Sequence, residues 1–332
     1  MAGPIERIAD LTDLPAPLRG GVVAIGNFDG VHRGHQSVLE PALEVARREG
    51  VPALVLTFEP HPRRVFRPDV PLFRLTPAPM KAALLGTLGF DAVVEQRFDR
   101  AFSGLSPQDF VKTVLVEGLG ISHVVTGFDF HFGKNRSGTP DLLAEAGKDN
   151  GFGVTLVDAY SDEGGAVISS SRIRGVLAEG DVAEAAGLLG YRYTVEAPVT
   201  GGQRLGRTLG FPTANMALPP ETELRHGIYA VRFRRADGSL HNGVASFGRR
   251  PTVTEDGAPL LETFVFDFDG DLYGETCSVS LFGFLRGEVK FEGLDPLAAQ
   301  MKRDEAEARA LLAEVKPHST LDTALAFDGL VV

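Results

Sequence analysis

Two histidines three residues apart, His32 and His35, stand in the run Gly26-Asn27-Phe28-Asp29-Gly30-Val31-His32-Arg33-Gly34-His35, between the apolar segment VVAIG and a stretch of helical pattern. In the first turn of a helix that spacing puts both imidazoles on one side. Gly26, Gly30 and Gly34 let the backbone turn tightly and approach a ligand, and the free amides of a helix start attract an anion. Rings and amides together could stabilise charge developing on a polyphosphate as it is cleaved, which is electrostatic rather than nucleophilic catalysis. Two other readings stay open. One is a plain strand-to-helix turn carrying two helix-terminal histidines; the other is a zinc site, although no cysteine is near and no third ligand follows from spacing. Farther along, Pro212-Thr213-Ala214-Asn215 offers a hydroxyl and an amide oxygen two residues apart, which share a face in extended chain. Oxygens of that kind suit Mg²⁺ carrying nucleotide phosphates and waters, and a turn is the alternative.

These groups need elements to position them. From Gly21 to about Asp158, the apolar runs VVAIG, ALVLTF, AVVEQ, HVVTG and VTLVD alternate with helical patterns, the first helix covering about Arg33 to Glu49. Such alternation predicts βαβ units, a parallel sheet with helices on its faces. The glycine-rich turn then falls at the carboxyl end of a strand, where open α/β sheets bind ligands. Ser169 to Gly190 reads as two short helices. Beyond Tyr191 the segments YTVEAPV, GIYAVRF, NGVASFG, LETFVFDF and TCSVSLF are strand-like and separated by Gly, Asp and Pro turns, which predicts an antiparallel barrel or sandwich. A final helix is expected with Asp295 as N-cap and Pro296 at its first position, turning Leu294, Leu297, Met301, Ala308 and Leu312 towards the barrel. The expected domains are residues 1–187 and 188–332, with a short join near residues 186 to 190.

Composition narrows the function classes. A chain of 332 residues exceeds what one core usually organises, and its 43% hydrophobic and 23% charged residues are those of a protein folded throughout. A net charge of −11 argues against broad contact with polymeric nucleic acid, while leaving room for a local cationic pocket that takes one small anion. Cys277, the one cysteine, sits among alternating apolar residues and reads as a buried core thiol in a reducing compartment. The N-terminal residues do not read as a signal peptide and no segment reaches membrane-spanning length, so a soluble cytoplasmic protein without membrane partners is expected.

The run GNFDGVHRGH resembles the HxGH signature of the cytidylyltransferase-like nucleotidyltransferases, and in its full form that of the bifunctional riboflavin kinase/FMN adenylyltransferases. Ile168–Arg174, reading ISSSRIR, is similar to the ISSTxIR segment of the same superfamily, which holds the ATP phosphates; Ser171 replaces the commoner Thr and keeps the hydroxyl. The resemblance implies a Rossmann-like nucleotidyltransferase domain in which Gly26, Asn27, Phe28, Asp29 and Gly30 bind nucleotide and His32 and His35 are catalytic. It also implies that Ser170, Ser171 and Arg174 contact the triphosphate, and hydroxyls with a planar cation do suit phosphate oxygens. The segments TFEPHP, from Thr57, and GFDFHFG, from Gly127, match family patterns beside the flavin and nucleotide pocket. Taken alone they are loops at strand ends, with Phe128, Phe130 and Phe132 as candidate core residues. Asp129 and His61 are the flavin contacts that the match implies.

In the second half, Gly201–Thr208 mimics a Walker A loop in spacing, but Arg207 stands where lysine is required and Leu209-Gly210-Phe211-Pro212 cannot begin the expected helix cleanly, so a P-loop is rejected. The whole block GRTLGFPTAN instead resembles the signature of riboflavin kinases, followed in family order by HGIYAV, NGVASFGRRPTV, LETFVFDFDGDLYGE and QMKRDEAEAR. That resemblance implies a riboflavin kinase-like barrel with a terminal helix. In it Thr213 and Asn215 bind Mg²⁺ or another divalent cation together with ATP, and the segment around Gly202 and Gly206 is a flap over the nucleotide. Glu262 is the implied catalytic base; as a residue it also reads as a strand-end surface carboxylate. Gly201, where the family often has His, and Leu205, where a small or basic residue is usual, depart from the pattern. The expected activity is phosphorylation of riboflavin to FMN and adenylylation of FMN to FAD with release of pyrophosphate, ATP being co-substrate in both. A nucleotidyltransferase with another acceptor and a non-catalytic flavin-binding module are the alternatives.

Overall fold

The computed structural model describes residues 5–201, 211–249 and 259–327. Its contacts divide the chain into two compact units, Met1–Ser169 and Ser170–Val332. In the first, strands β1 (Glu6–Ile8), β2 (Val22–Ile25), β3 (Ala53–Glu59), β4 (Ala92–Arg97), β5 (His123–Gly127) and β6 (Gly153–Val157) form one sheet in the order β1-β4-β3-β2-β5-β6. Every neighbouring pair is parallel. Helices α1 (Arg33–Glu49), α2 (Pro62–Phe66), α3 (Ala78–Leu88), α4 (Pro107–Asp109, running on as π-helix through Phe110–Leu119) and α5 (Pro140–Asn150) make the connections. Because both faces are covered, Val22–Ile25 is buried at all four positions, as a continuous apolar run rather than an alternating one. Helix α1 buries Val38, Leu39, Ala42, Val45 and Ala46 at helical spacing and stops at Gly50, whose φ of 67° is the left-handed conformation that glycine adopts without a Cβ clash.

The order places β2 between β3 and β5, so the chain leaves β2 towards one side of the sheet and later returns on the other. Such a reversal opens a crevice at the carboxyl ends of the strands, and the Gly26–His35 turn emerges there. The sheet that the alternation predicts is present, with an additional edge strand, β1, ahead of it.

The second unit begins with α6 (Ser170–Glu179) and α7 (Val182–Leu189), the two short helices expected. Strands β7 (Thr194–Thr200), β8 (Thr213–Ala217), β9 (Gly227–Arg234), β10 (Leu240–Arg249), β11 (Pro259–Val265) and β12 (Thr276–Arg286) close into a barrel in the order β10-β11-β8-β7-β12-β9. All its pairings are antiparallel, and of the two expected architectures the barrel is the one formed. Ala245, Phe247, Leu261, Thr263, Met216 and Cys277 are buried with the barrel core, which places the alternate residues on its outer face.

Helix α8 (Leu294–Glu314) packs on that barrel, and α9 (Thr320–Ala326) follows. The start of α8 differs from the expected one: Gly293, at φ 121°, is the N-cap, and Asp295 lies inside the first turn, where its charge favours the positive end of the helix. Ala308 and Leu312 are buried as expected, but Leu294 is 54% exposed. Asp304 anchors the helix instead, accepting from Arg286 at 2.9 and 2.6 Å. Arg192 pairs with the buried Asp322 and holds α9 in the same way.

Candidate functional site

In the first unit the candidate site is the turn from β2 into α1. Phe28 and Val31 adopt φ of 48° and 38°, the left-handed region that costs a side-chain-bearing residue on the order of 1–3 kcal/mol and persists only where the surroundings enforce it. Both are buried. His32 is the N-cap of α1, and its Nδ1 accepts from the backbone amide of His35 at 3.2 Å. The two imidazoles stack with centroids 3.5 Å apart and planes 18° apart, and Phe28 meets the His35 ring edge-on. A Cβ on Gly34 would come within 3.2 Å of the His32 ring and 3.1 Å of the Ile168 carbonyl oxygen, so any side chain there would crowd the ring.

The Nδ1 of His35 is sealed from solvent and has no hydrogen-bond partner among the described residues. Burial first, and then the charges on His32 and Lys81, hold this imidazole well below the usual histidine range. It is therefore neutral at pH 7, able to give or accept a hydrogen bond without carrying charge. In the ligand-free protein, NMR of the ring is expected to show no titration step for His35 near pH 6.5; a step there, removed by His35→Gln, would contradict its burial.

A buried polar network that sequence reasoning missed fixes the turn from beneath. Lys81 on α3 is fully buried, and its Nζ donates to the Asn27 carbonyl at 3.2 Å, Thr57 Oγ1 at 2.8 Å and Glu59 Oε1 at 3.0 Å. Thr57 Oγ1 donates in turn to the same Asn27 carbonyl. Arg74 grips Glu59 at 2.8 and 3.1 Å and reaches Asp29 at 3.4 Å. Burial pushes the Glu59 carboxyl up, but hydrogen bonds from Arg74 and the Lys81 charge outweigh it and bring it down to about 2. Asp29, read from the motif as a nucleotide residue, is 1% exposed and accepts from the Thr76 amide, while Gly30 donates to Thr76 Oγ1. Its carboxylate thus anchors the turn from below.

The other residues read for this site lie at the same strand ends or in the second unit. His61 caps α2, its Nδ1 accepting from the Arg63 amide at 3.1 Å, just past the end of β3. Asp129 is exposed beyond β5, with its carbonyl bonded to the His131 ring. Of the three aromatics around it, Phe132 is in the core, Phe130 packs against the core and Phe128 is 51% exposed. Ser170 and Ser171 form the first turn of α6 and Arg174 follows one turn on, so all three belong by packing to the second unit.

In the second unit, strand register brings together residues far apart in sequence. Ser246 on β10 pairs with Glu262 on β11, Glu262 with Asn215 on β8, and Asn215 with Thr200 on β7. Register partners point to the same side of a sheet, so Ser246, Glu262 and Asn215 form one row on the outer face of the barrel, with Thr213 two residues from Asn215 on that face. Glu262 is partly buried in mid-strand, not a strand-end surface carboxylate. The Asn215 amide nitrogen donates to the Thr213 carbonyl at 3.1 Å, which orients the side chain. Ser246 also lines a cavity of about 460 Å³, walled by Ile228, Arg286, Phe291, Leu294 and Leu297. Its walls combine apolar side chains with the charged Arg286 and Glu288, a mixture that small-molecule sites use to bury and orient a ligand. Gly202 and Gly206 lie outside the described residues.

The first unit thus carries a glycine-rich turn with stacked imidazoles at a sheet's switch point, and the second a barrel face with a carboxylate beside an amide and a hydroxyl, an arrangement in keeping with a nucleotidyltransferase half and a kinase half. The family models agree with both halves: FAD synthetase matches residues 14–172 and riboflavin kinase residues 189–312. The chain belongs to the bifunctional riboflavin kinase/FMN adenylyltransferase family. Relatives with that name include proteins of Listeria monocytogenes, 42% identical over 89% of this chain and 93% of the relative, and of Escherichia coli K12, 40% identical over 91% and 96%. Another, from Pseudomonas fluorescens, is 41% identical over 93% of this chain and 98% of the relative. A crystal structure described as a macrolide-efflux protein of Streptococcus pneumoniae superposes with a TM-score of 0.82 at 31% identity, covering 92% of this chain and 99% of that one. Among the described residues here, no helix is long and apolar enough to cross a membrane.

Proposed function

We propose that the family's two reactions run at separate sites, riboflavin kinase on the barrel and FMN adenylyltransferase at the β2–α1 turn, with a functional boundary between residues 187 and 188. The chain phosphorylates riboflavin to FMN and adenylylates FMN to FAD, using ATP each time. In the first reaction the Glu262 carboxylate takes the proton of the terminal ribityl hydroxyl as that oxygen attacks the γ-phosphorus and ADP leaves. The cavity beside Ser246 receives the isoalloxazine ring, which brings the ribityl chain along the row to Glu262. The observation that supports this reading is the register Ser246, Glu262, Asn215, which puts a carboxylate, an amide and the cavity-lining serine on one face.

The donor set fits a magnesium ion shared with a nucleotide. Thr213 and Asn215 supply a hydroxyl and an amide oxygen, both hard and neutral, and a hard cation with so few protein ligands keeps phosphates and waters as the others. Among the described residues no three His, Cys, Asp or Glu side chains group as a metal cage. When bound, the ion neutralises charge on the phosphates. Asn215→Ala is expected to raise about tenfold the Mg²⁺ concentration needed for half-maximal FMN formation, with that for FAD formation from supplied FMN unchanged. Identical Mg²⁺ curves for variant and wild type in the kinase assay would remove Asn215 from the metal site.

In the second reaction an FMN phosphate oxygen attacks the ATP α-phosphorus and pyrophosphate leaves. The Gly26–Gly30 turn takes the phosphates through the amides left between its ends, the Gly26 and Gly30 amides being held by the Leu56 carbonyl and Thr76 Oγ1, with Asp29 holding the turn. His32 and His35 face the developing charge, for which the His35 Nδ1, without a hydrogen-bond partner among the described residues, is a donor of the right chemistry in its protonated tautomer. From the motifs alone, Ser170, Ser171 and Arg174 are proposed as phosphate contacts and Asp129 and His61 as flavin contacts. Gly202 and Gly206 belong to a flap over the kinase nucleotide on the same basis. Use of ATP and the buried single thiol favour a cytoplasmic location.

A further inference from the structure

A fully buried ammonium is costly, and the Lys81 side chain is buried beneath a turn whose backbone is strained at Phe28 and Val31. Its three bonds run to the Asn27 carbonyl, to the Thr57 hydroxyl and to Glu59. Thr57 relays to the Asn27 carbonyl again, so one backbone oxygen receives two donors from below. On the other side of the strained residue, Asp29 is tied to the Thr76 amide and to Arg74. The two carboxylates and two cations balance in charge. What the arrangement accomplishes, beyond filling space as a methionine would, is to pin the Asn27 carbonyl on one side of Phe28 and the Asp29 side chain on the other.

We propose that Lys81 is a positioning residue for adenylyl transfer: through the Asn27 carbonyl, with Thr57 as relay, it holds the β2–α1 turn in the conformation that presents the Phe28 amide to the ATP phosphates. This rests on the reading of that turn as the phosphate cradle. Turning the Asn27 carbonyl down towards Lys81 aims the following amide the opposite way, since the two ends of a peptide unit are antiparallel. Loosening that peptide weakens binding of the phosphates, and small displacements in such sites carry large penalties.

The test measures FAD formation by the full chain from FMN, ATP and Mg²⁺, with the ATP KM and kcat resolved, alongside the melting midpoint. Lys81→Met and Thr57→Val, the second nearly isosteric and able to report even if the first fails to fold, are each expected to raise the ATP KM, by about tenfold for lysine. A residue that only stabilises the fold would lower the active fraction, and so kcat, without moving KM. The double variant Lys81→Met/Glu59→Gln restores charge balance, and is expected to recover the melting midpoint but not the ATP KM. An unchanged ATP KM in the single variants, or its recovery in the double, would overturn the proposal. His32→Ala in the same assay separates the two failures: wild-type FAD formation by His32→Ala overturns the reading of the turn itself, whereas loss there with normal ATP KM in the Lys81 and Thr57 variants overturns only the positioning role.

Discussion

Glu262→Ala is expected to lower the kcat for FMN formation by ~10²–10⁴, about 3–5 kcal/mol of barrier, which is the range for removal of a general base. The ribityl hydroxyl is a poor nucleophile until its proton has somewhere to go, and the row from Ser246 to Asn215 offers one carboxylate for it. The side chain is in mid-strand on the outer face of a closed barrel, so shortening it removes the carboxylate without opening the core, whose residues Leu261 and Thr263 point the other way. FAD formation from supplied FMN should keep its wild-type rate, because the β2–α1 turn proposed for that reaction is carried on another sheet. Separation of flavins after incubation with [γ-³²P]ATP checks this, and equal loss of both reactions would contradict the assignment.

His32→Ala is expected to do the converse, reducing FAD formation ~10²–10³-fold while FMN accumulates from riboflavin. Two effects combine. The variant removes a ring that faces the proposed phosphate path, and it removes the acceptor that caps the His35 amide at 3.2 Å, loosening the first turn of α1. The stacked partner at 3.5 Å would also lose its support. His32→Asn separates the two contributions, since an asparagine can restore the cap but not the imidazole. Recovery of stability without recovery of rate places the effect in the ring, and full recovery of rate would make the histidine a cap only.

Much of this was legible in the residues themselves. The glycines and histidines between VVAIG and the first helix mark a strand-to-helix turn because apolar period and turn chemistry both change there. The same holds for the switch from helix-rich to strand-rich rhythm after Tyr191. What could not be read is pairing at a distance. Nothing in the spacing of Asn215, Ser246 and Glu262 reveals that they share a row; that follows from the strand order of a closed barrel. Nor does Lys81 announce itself, since a lysine in a helix is ordinarily solvated. The available signal was that APMKAALLGTL surrounds it with apolar residues on every side, so any orientation that buries the helix buries the charge as well. The start of α8 went astray for a local reason: Asp-Pro is a strong cap signal, but Gly293 at positive φ turns the chain first.

The most direct test of two separate sites is complementation between the damaged chains. Glu262→Ala and His32→Ala are incubated with riboflavin, ATP and Mg²⁺, each alone and then mixed, and FMN and FAD are separated. The expected result is no product from the first, FMN without FAD from the second, and FAD at a substantial rate from the mixture, as FMN released by one chain is adenylylated by the other. If both variants lose both reactions, or if the mixture makes no FAD although each variant is folded and FMN is present, the assignment of one reaction to each site is wrong.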